Sequence, residues 1–382
     1  MEKIRIGLTM IVKNESKVIS RCLKSVFDAG FIDYYAIVDT GSHDDTKVIV
    51  KKLAEQYKVQ GVIANKNFTD FSDCRNFSLD LLRDKVDWAF WIDADEVFKP
   101  SSIFSKDLLH NALSGSSFSN VKGSHESNTF YRPNFFKIEE STIWKGLVHE
   151  YVTLSGGEAN VDDLCHIDIF SEGSSWNYEQ KKFKNYINAL LKMIEQEPNE
   201  PRWVYFLAES YRHLKNAESE RTAMRWYEKR MKMSGGNAEE IFVSAMMYVS
   251  LKKKHYDEIE LSVLDSFKYP DRIENLIIRG LYELEQGHHL QAFHIAEKTK
   301  PHWGKIPRAG IYVDPKTYLF TAPYMYAVSG FLLNKKNEII QAVEICKKSG
   351  MMNMNELGTI SMMEKSIYLR NKNDEEIRIS EN

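Results

Sequence analysis

The chain has 382 residues, of which 43% are hydrophobic and 12% aromatic, enough to bury the cores of two domains. Its net charge of −3 gives no sign of nucleic-acid binding by the chain as a whole. The cysteines, Cys22, Cys74, Cys165 and Cys346, form no CxxC pair, which argues against a zinc site or a disulfide framework. No apolar run approaches the roughly 20 residues of a membrane helix. We therefore expect a cytoplasmic protein that makes no membrane contact.

Short apolar runs alternate with amphipathic stretches in the first part of the chain. The runs Ile4–Val12, Tyr35–Val38, Val59–Ala64 and Trp88–Ile92 predict four strands. Helices are predicted between them, the first with Ser16 as its N-cap. This order predicts right-handed βαβ units on one mostly parallel sheet, as in a Rossmann-like α/β fold.

The order of elements is less regular after the fourth strand. A helix and a loose loop are predicted for Ser101–Ser127, which is rich in serine and asparagine. Shorter strands are predicted for Phe130–Phe136, Ile143–Glu150 and Val161–Phe170. From residue 176 the spacing is helical, and it resembles tetratricopeptide helix pairs. We therefore predict an α/β domain at 1–175 and an all-α domain at 176–382.

Polar segments follow the first, second and fourth strands, at Lys13–Ser16, Asp39–Asp45 and Asp93–Glu96. In sheets of this type, ligands bind outside the carboxyl ends of the strands. Asp93 and Asp95 leave their strand on the same side, because side chains alternate along a strand. Two neighbouring carboxylates suit Mg²⁺ or Mn²⁺, which leave positions open for substrate phosphates. The alternative is an ordinary acidic turn that starts a helix.

Four motifs in order resemble those of family 2 glycosyltransferases of the GT-A fold: Ile11–Glu15, Val38–Ser42, Asp70–Asn76 and Trp88–Glu96. The segment Leu147–Glu150 and the helical tail are similar to a branch with tetratricopeptide-like C-termini. That branch includes bacteriocin peptide S-glycosyltransferases and phage-encoded enzymes. The resemblance implies a metal-dependent, inverting transfer of a sugar from a UDP-sugar to a macromolecular acceptor. The phage relatives imply the cytoplasm of an infected host as one setting.

The resemblance also implies roles for individual residues. It implies that the nucleotide-sugar donor is bound by Ile11, Asn14, Glu15, Asp39, Thr40, Gly41, Arg75, Asn76, Asp93 and Ala94. Thr40 stands where the commoner family pattern has a second aspartate, and it can offer uracil only a hydroxyl. Arg75 would face the diphosphate; the alternative is a surface ion pair with Asp70 or Asp73.

The implied metal ligands are Asp95 and Asp93, with His166 completing the shell; the alternative for His166 is a core residue. Glu150 is the implied catalytic base, and His149 supports it. The alternative for both is an ordinary pair at a strand end. Mn²⁺ or Mg²⁺ would be the cofactor.

The acceptor and the class of activity stay open from the sequence. The acceptor is either a peptide thiol or hydroxyl lying along the helices, or hydroxymethylated DNA. DNA would contact the basic residues Arg225, Lys229, Lys232 and Lys252–Lys254, which also fit a solvated helix face. Competing functions are a catalytically inactive tetratricopeptide scaffold and a nucleotidyltransferase, although no Gly-rich phosphate loop lies near the start. The helical domain could also form a homodimer.

Overall fold

The computed structural model describes residues 4–126, 128–170, 172, 179–311 and 313–380. Its strands are β1 (Ile6–Val12), β2 (Tyr34–Asp39), β3 (Gln60–Asn65), β4 (Trp88–Trp91), β5 (Glu96–Pro100), β6 (Phe118–His125), β7 (Asn128–Lys137), β8 (Trp144–Lys145), β9 (Tyr151–Val152) and β10 (Cys165–Ile169). Its α-helices are α1 (Ile19–Asp28), α2 (Thr46–Tyr57), α3 (Phe71–Asp80), α4 (Lys106–Leu113), α5 (Glu179–Gln196), α6 (Pro201–Arg212), α7 (Ala217–Lys232), α8 (Ala238–Tyr256), α9 (Leu261–Ser266), α10 (Glu274–Glu285), α11 (His289–Glu297), α12 (Ala322–Leu332), α13 (Ile340–Ser349) and α14 (Met354–Ser380).

Eight strands form one sheet in the order β3-β2-β1-β4-β7-β6-β10-β5. The strands β3, β2, β1 and β4 run parallel, and so do β6 and β10. The pairs β4–β7, β7–β6 and β10–β5 are antiparallel. The short strands β8 and β9 form a separate antiparallel pair. The predicted fold class, a mostly parallel α/β domain followed by helices, is confirmed.

Strand β4 is buried on both faces, and its side chains divide between two cores. Trp88 and Phe90 belong to the core that includes α1, whereas Ala89 and Trp91 belong to the core that includes Leu79 of α3. Because strand side chains alternate, an unbroken apolar run serves both layers of a covered sheet. The end of β4 is thereby held rigidly, and the polar segment after it begins at a defined place.

Several local predictions were wrong, each because a long-range contact overrides the local pattern. Ser16 does not cap α1, since the helix begins at Ile19 and the Ser16 amide donates to Asp44 at 3.0 Å. The alternative for Asp93–Glu96, an acidic turn from which Glu96 starts a helix, is also wrong, because Glu96 begins β5 and pairs with Ile169 of β10.

The predicted loop within Ser101–Ser127 contains a strand, β6. Its small polar residues hide the alternation of buried and exposed positions: Ser119 is fully buried and donates to the Ala159 carbonyl at 2.9 Å. The predicted strand Ile143–Glu150 shrinks to β8, because Gly146 and His149 have positive φ values of 105° and 52°. Local composition therefore misled the prediction in both places.

The chain divides into two compact units, Met1–Gly236 and Asn237–Asn382. The first unit extends past the predicted boundary at residue 175 because α5 and α6 pack on the segment after β8. There Val148 shares a core with Leu190 of α5 and Trp203 of α6. The α/β portion therefore continues into a helical layer within the same unit.

The second unit consists of α8–α14 around its own apolar core, in which Phe293 stacks on Tyr326 at 4.5 Å. A buried carboxylate, Glu239, accepts from the amides of Gly310 and Ile311 at 2.9 and 3.2 Å. None of the described helices combines the length and the apolar character needed to cross a bilayer. The resemblance to tetratricopeptide pairs stays a prediction.

Phe31 is the centre of the aromatic core, in contact with Phe90, Phe98, Phe104 and Phe135 at centroid distances of 5.0 to 5.9 Å. We expect Phe31→Ala to destabilise the fold by about 3–5 kcal/mol, because the cavity it leaves cannot collapse. Phe68→Ala is the matched control, since that ring is 45% exposed. Denaturant unfolding measures both; equal losses would contradict this picture of the core.

Candidate active site

The loops after β1 and β2 are joined by hydrogen bonds into one rim. The Asn14 amide donates to Ser42 Oγ at 2.9 Å, and Asn14 Oδ1 accepts from the His43 amide at 2.8 Å. The Glu15 amide donates to Thr46 Oγ1 at 2.8 Å. Asn14 has a φ of 55°, a left-handed conformation that asparagine tolerates. The structure thus places the predicted residues Asn14 and Glu15 against the loop that follows β2.

Asp44 ties the same two loops together. It accepts hydrogen bonds from the Ser16 amide at 3.0 Å and from the Thr46 hydroxyl at 2.5 Å. Burial alone would raise the pKa of Asp44, but these hydrogen bonds outweigh it and lower the pKa to about 2. Asp44 is therefore ionised at neutral pH and stabilises the rim.

Asp39 ends β2 and is 1% exposed. Its Oδ1 accepts from the amides of Gly41 and Ser42 at 3.0 and 2.9 Å, which fixes the direction of the carboxylate. Its Oδ2 is buried and has no hydrogen-bond partner among the described residues. The Thr40 hydroxyl donates to the Val12 carbonyl at 3.1 Å. Asp39 thus keeps one acceptor atom for a ligand, whereas the Thr40 hydroxyl serves the fold.

Arg75 of α3 is buried and bridges two carboxylates that come from distant parts of the chain. Its Nη2 lies 3.0 Å from Asp93 Oδ1, and its Nε lies 2.7 Å from Glu150 Oε1. The guanidinium also lies over the rings of Trp91 and Trp144, at 4.6 and 5.0 Å from their centroids. The structure therefore joins the predicted diphosphate-binding, metal-binding and base residues in one cluster.

The alternative of a surface ion pair between Arg75 and Asp70 or Asp73 is wrong. Asp70 caps α3 by accepting from the Asp73 amide at 2.8 Å. Asp73 pairs with Lys66 at 3.1 Å. Both acids therefore pair with neighbours of their own, and buried Arg75 pairs with Asp93 and Glu150.

Asn76, whose contact with the donor stays a prediction, pairs with the backbone of Trp144. Its Nδ2 donates to the Trp144 carbonyl at 2.9 Å, and its Oδ1 accepts from the Trp144 amide at 2.7 Å. This two-bond pairing fixes β8, whose Trp144 lies against Arg75. Asn76 thus helps to position Trp144, over whose ring the Arg75 guanidinium lies.

A second buried ion pair, Glu96 with Arg132, lies beside the first and was missed from the sequence. Glu96 also accepts from the Asp93 amide at 3.0 Å, and Arg132 lies 4.3 Å from the Trp91 ring centroid. Burial raises the pKa of Glu96 to about 7. Burial also opposes the charge on Asp93, but Arg75 and then Arg132 hold the pKa of Asp93 below its ordinary value. The available signal was an arginine within the apolar strand β7.

The predicted metal ligands are only partly brought together. Asp93 and Asp95 flank the buried Ala94, as their spacing requires. His166 lies on β10, is 47% exposed, and contacts Asp168 at 3.5 Å. Within the described ranges, no three His, Cys, Asp or Glu side chains gather as a metal site, so His166 does not complete a shell with the two aspartates.

His149 is held as a neutral ring by the helical layer. It stacks on Phe206 at a centroid distance of 4.1 Å and meets Tyr186 edge-on at 5.1 Å. Burial, followed by nearby positive charge, lowers the pKa of His149 to about 3. Its Nε2 is buried with no hydrogen-bond partner in the described part of the chain. The ring therefore supports the backbone that presents the next residue, Glu150.

Comparison with known proteins gives the first domain a family. Residues 8–140 match the profile of glycosyl transferase family 2. These residues are a glycosyl transferase family 2 domain. The matched segment carries Asp39, Arg75 and Asp93 and ends before Glu150. The predicted resemblance to family 2 is confirmed.

Two curated relatives are the SPbeta prophage-derived glycosyltransferase SunS of Bacillus subtilis strain 168 and the glycosyltransferase SunS of Bacillus phage SPbeta, each 25% identical over 225 residues. The alignments cover 55% of this chain and 50% of each relative. The chain thus spans about half the length of the curated relatives it matches.

Solved structures are more distant. Staphylococcus aureus TarS 1–349 in complex with UDP-GlcNAc is 11% identical, with 69% of this chain and 83% of that chain covered and a TM-score of 0.35. The mannosyltransferase PcManGT of Pyrobaculum calidifontis, in complex with GDP-Man and Mn²⁺, is 15% identical, with 67% and 83% covered and a TM-score of 0.38. At these scores the structures carry no functional argument.

The hydrogen bonds at Asp44 predict a pH-dependent loss of stability in Asp44→Asn. Because its pKa in the folded protein is below the ordinary 3.8, Asp44 contributes stability above about pH 4 that is lost as pH falls towards 2. We expect Asp44→Asn to cost about 1 kcal/mol at pH 7 and progressively less below pH 4. Urea unfolding from pH 7 to pH 3 measures this, with Asp45→Asn as the control. A deficit that does not change with pH would exclude the charge as the cause.

Proposed function

We propose that this chain is a glycosyltransferase that moves a sugar from a UDP-sugar to a macromolecular acceptor with inversion at the anomeric carbon. One observation carries the proposal: within a family 2 domain, buried Arg75 joins Asp93, at the end of β4, to Glu150. Such a cluster at the carboxyl ends of parallel strands is where an α/β sheet binds its ligand.

We assign Asp39 to the binding of the donor's nucleobase. Its Oδ2 is an acceptor without a partner among the described residues, and Lys47 Nζ lies 3.9 Å from its Oδ1. A carboxylate beside an ammonium group complements an N–H that is flanked by a carbonyl, which uracil offers. Cytosine has an acceptor nitrogen at that position, and adenine has no carbonyl. These contacts favour uracil over cytosine and adenine.

The charges favour a divalent cation in the donor site. Arg75 with Asp93 and Glu150 carries one net negative charge. A diphosphate would be repelled unless a cation is bound. The donor set fits Mg²⁺ or Mn²⁺, which bind through one or two carboxylates together with phosphate oxygens and waters. Asp95 and Asp93 would hold the ion, which would neutralise charge on the departing UDP.

Glu150 is proposed as the catalytic base, the group that takes the acceptor's proton. Arg75 fixes its carboxylate at 2.7 Å, and the ring of His149 fixes the backbone before it. As the acceptor's hydroxyl or thiol attacks the anomeric carbon, Glu150 takes its proton. The bond from that carbon to the phosphate oxygen breaks, and UDP leaves with the electron pair. His149 takes no proton itself, because its pKa of about 3 makes it a weak base at neutral pH.

A peptide is the favoured acceptor over DNA, because ion pairs neutralise several of the basic residues that DNA would need. These pairs are Lys232 with Glu228, Lys252 with Glu260, and Lys253 with Glu285. In addition, Lys229 lies over the Trp226 ring at 4.9 Å. A surface of paired charges releases few counterions on contact with a polyanion, so the gain from binding DNA would be small.

The donor reaction is tested with Asp95→Asn. We expect wild-type protein with Mn²⁺ to release UDP from a UDP-sugar, and the variant to release it on the order of a hundredfold more slowly, because charge on the leaving group is no longer neutralised. Asp163→Asn, an exposed acid, is the control. UDP release is followed over a panel of UDP-sugars. No release by wild-type protein would favour the inactive scaffold, and release of pyrophosphate from a nucleoside triphosphate would favour a nucleotidyltransferase.

Asp39→Asn tests whether Asp39 binds the nucleobase. The amide oxygen can still accept from Gly41 and Ser42, so the loop should stay folded, but the second carboxylate oxygen becomes an N–H₂ donor. We expect about tenfold weaker UDP binding and a smaller preference for UDP over CDP. Calorimetric titration of UDP, CDP, ADP and GDP measures both. An unchanged preference for UDP over CDP would show that Asp39 does not contact the nucleobase.

A further inference from the structure

The two aspartates that are proposed to hold the metal lie on a tight turn, Asp93–Glu96. The Glu96 amide donates to the Asp93 carbonyl at 3.1 Å, and the Glu96 carboxylate accepts from the Asp93 amide at 3.0 Å. The first and last residues of the turn are thereby joined twice. The position of the Asp95 carboxylate relative to that of Asp93 therefore depends on what holds the backbone of this turn.

Helix α1 holds the turn from outside through two consecutive residues. The Cys22 thiol donates to the Asp93 carbonyl at 3.3 Å. Arg21 Nη2 donates to the Asp95 carbonyl at 3.5 Å. The backbone carbonyl of each aspartate thus accepts a hydrogen bond from a side chain of the same helix.

Both donors are anchored by contacts that do not involve the turn. Cys22 is fully buried in the core beneath α1. Arg21 pairs with Glu172 at 2.8 Å, and its guanidinium lies 4.2 Å from the centroid of the Phe170 ring. One turn further along α1, Ser25 Oγ accepts from a backbone amide of β5 at 3.0 Å. The helix therefore fixes both the turn and the strand that follows it.

We propose that Arg21 and Cys22 are positioning residues that set the affinity of Asp93 and Asp95 for a divalent cation. The inference rests on the proposed function, in which these two carboxylates hold the ion. Mg²⁺ requires ligands close to octahedral positions, so carboxylates already held in place bind it more tightly. Residues behind the ligands commonly change metal affinity in this way without contacting the metal. Arg21 and Cys22 each act through a backbone carbonyl.

Cys22→Ala and Cys22→Ser test the thiol contact. Alanine removes the donor to the Asp93 carbonyl, whereas serine keeps a donor of similar size. The readout is the dissociation constant of Mn²⁺ with saturating UDP, followed by the electron paramagnetic resonance signal of free Mn²⁺. We expect Cys22→Ala to bind Mn²⁺ about three- to tenfold more weakly, and Cys22→Ser to stay within about twofold of wild type.

Cys165→Ala is the matched control for the loss of a buried thiol. Cys165 belongs to the same core as Cys22, but it pairs with Pro100, at the end of β5 away from the turn. Both alanine variants should unfold at a lower temperature than wild type, because each loses a buried sulfur atom. Only Cys22→Ala should bind Mn²⁺ more weakly.

Arg21→Met gives a second test, in which electrostatics and positioning predict opposite signs. Removing a positive charge near the cation would by itself raise the affinity for Mn²⁺. Losing the hydrogen bond to the Asp95 carbonyl would lower it, and we expect binding about threefold weaker than in wild type. Lys24→Met is the control, since it removes the same charge from an exposed position of the same helix. It should not lower the affinity.

The outcomes separate this inference from the proposed function. Unchanged Mn²⁺ affinity in Cys22→Ala and Arg21→Met would overturn the inference and leave the proposed function intact. Equal losses of affinity in Cys22→Ala and Cys165→Ala would do the same, because lower stability would then be the cause. A wild type that binds UDP but no Mn²⁺ would overturn the inference and the metal dependence together. A wild type that binds neither would overturn the proposed function as well.

Discussion

The buried guanidinium of Arg75 is the interaction on which the site depends. An unpaired charge in that position would be prohibitively unstable, so the fold must supply carboxylates for it, and Asp93 and Glu150 do so from either side. Removing one partner of such a pair typically costs about 3–5 kcal/mol. The positions of α3, the end of β4 and the segment after β8 are therefore coupled. The same contact that stabilises the fold fixes the spacing of the groups assigned to donor and base.

The tryptophan rings around the cluster explain how two arginines fit so close together. Arg75 and Arg132 both lie over Trp91, and each has its own buried acid, Asp93 or Glu96. The ring supplies favourable contact to each cation, while the two acids cancel the repulsion between them. The two ion pairs and the shared ring therefore hold the end of β4 and the segment after it in place.

The sequence was informative where local periodicity governs structure, and misleading where long-range pairing does. The first strands and their polar ends could be predicted, because buried parallel strands are apolar throughout and stop abruptly. Glu96 and Arg132 were missed, since their pairing joins residues 36 positions apart and leaves no local spacing. The partner of Asn76 in the structure, the backbone of Trp144, could not be predicted either, because an amide side chain pairs with backbone and ligand equally well. The packing of α5 and α6 on Val148, which puts these helices in the same compact unit as the sheet, likewise leaves no periodic signal.

The residues of the candidate site come from two parts of the first unit. The matched family domain carries Asp39 and Arg75, whereas Glu150 comes from the segment that follows it. His149 links the two parts, since its ring packs on α6 while its neighbour Glu150 pairs with Arg75. In the proposed function, substitutions in α5 or α6 would shift Glu150 by small displacements through His149, while the sheet stays unchanged. A helical layer of this kind would allow the acceptor contacts to vary while the donor chemistry is kept.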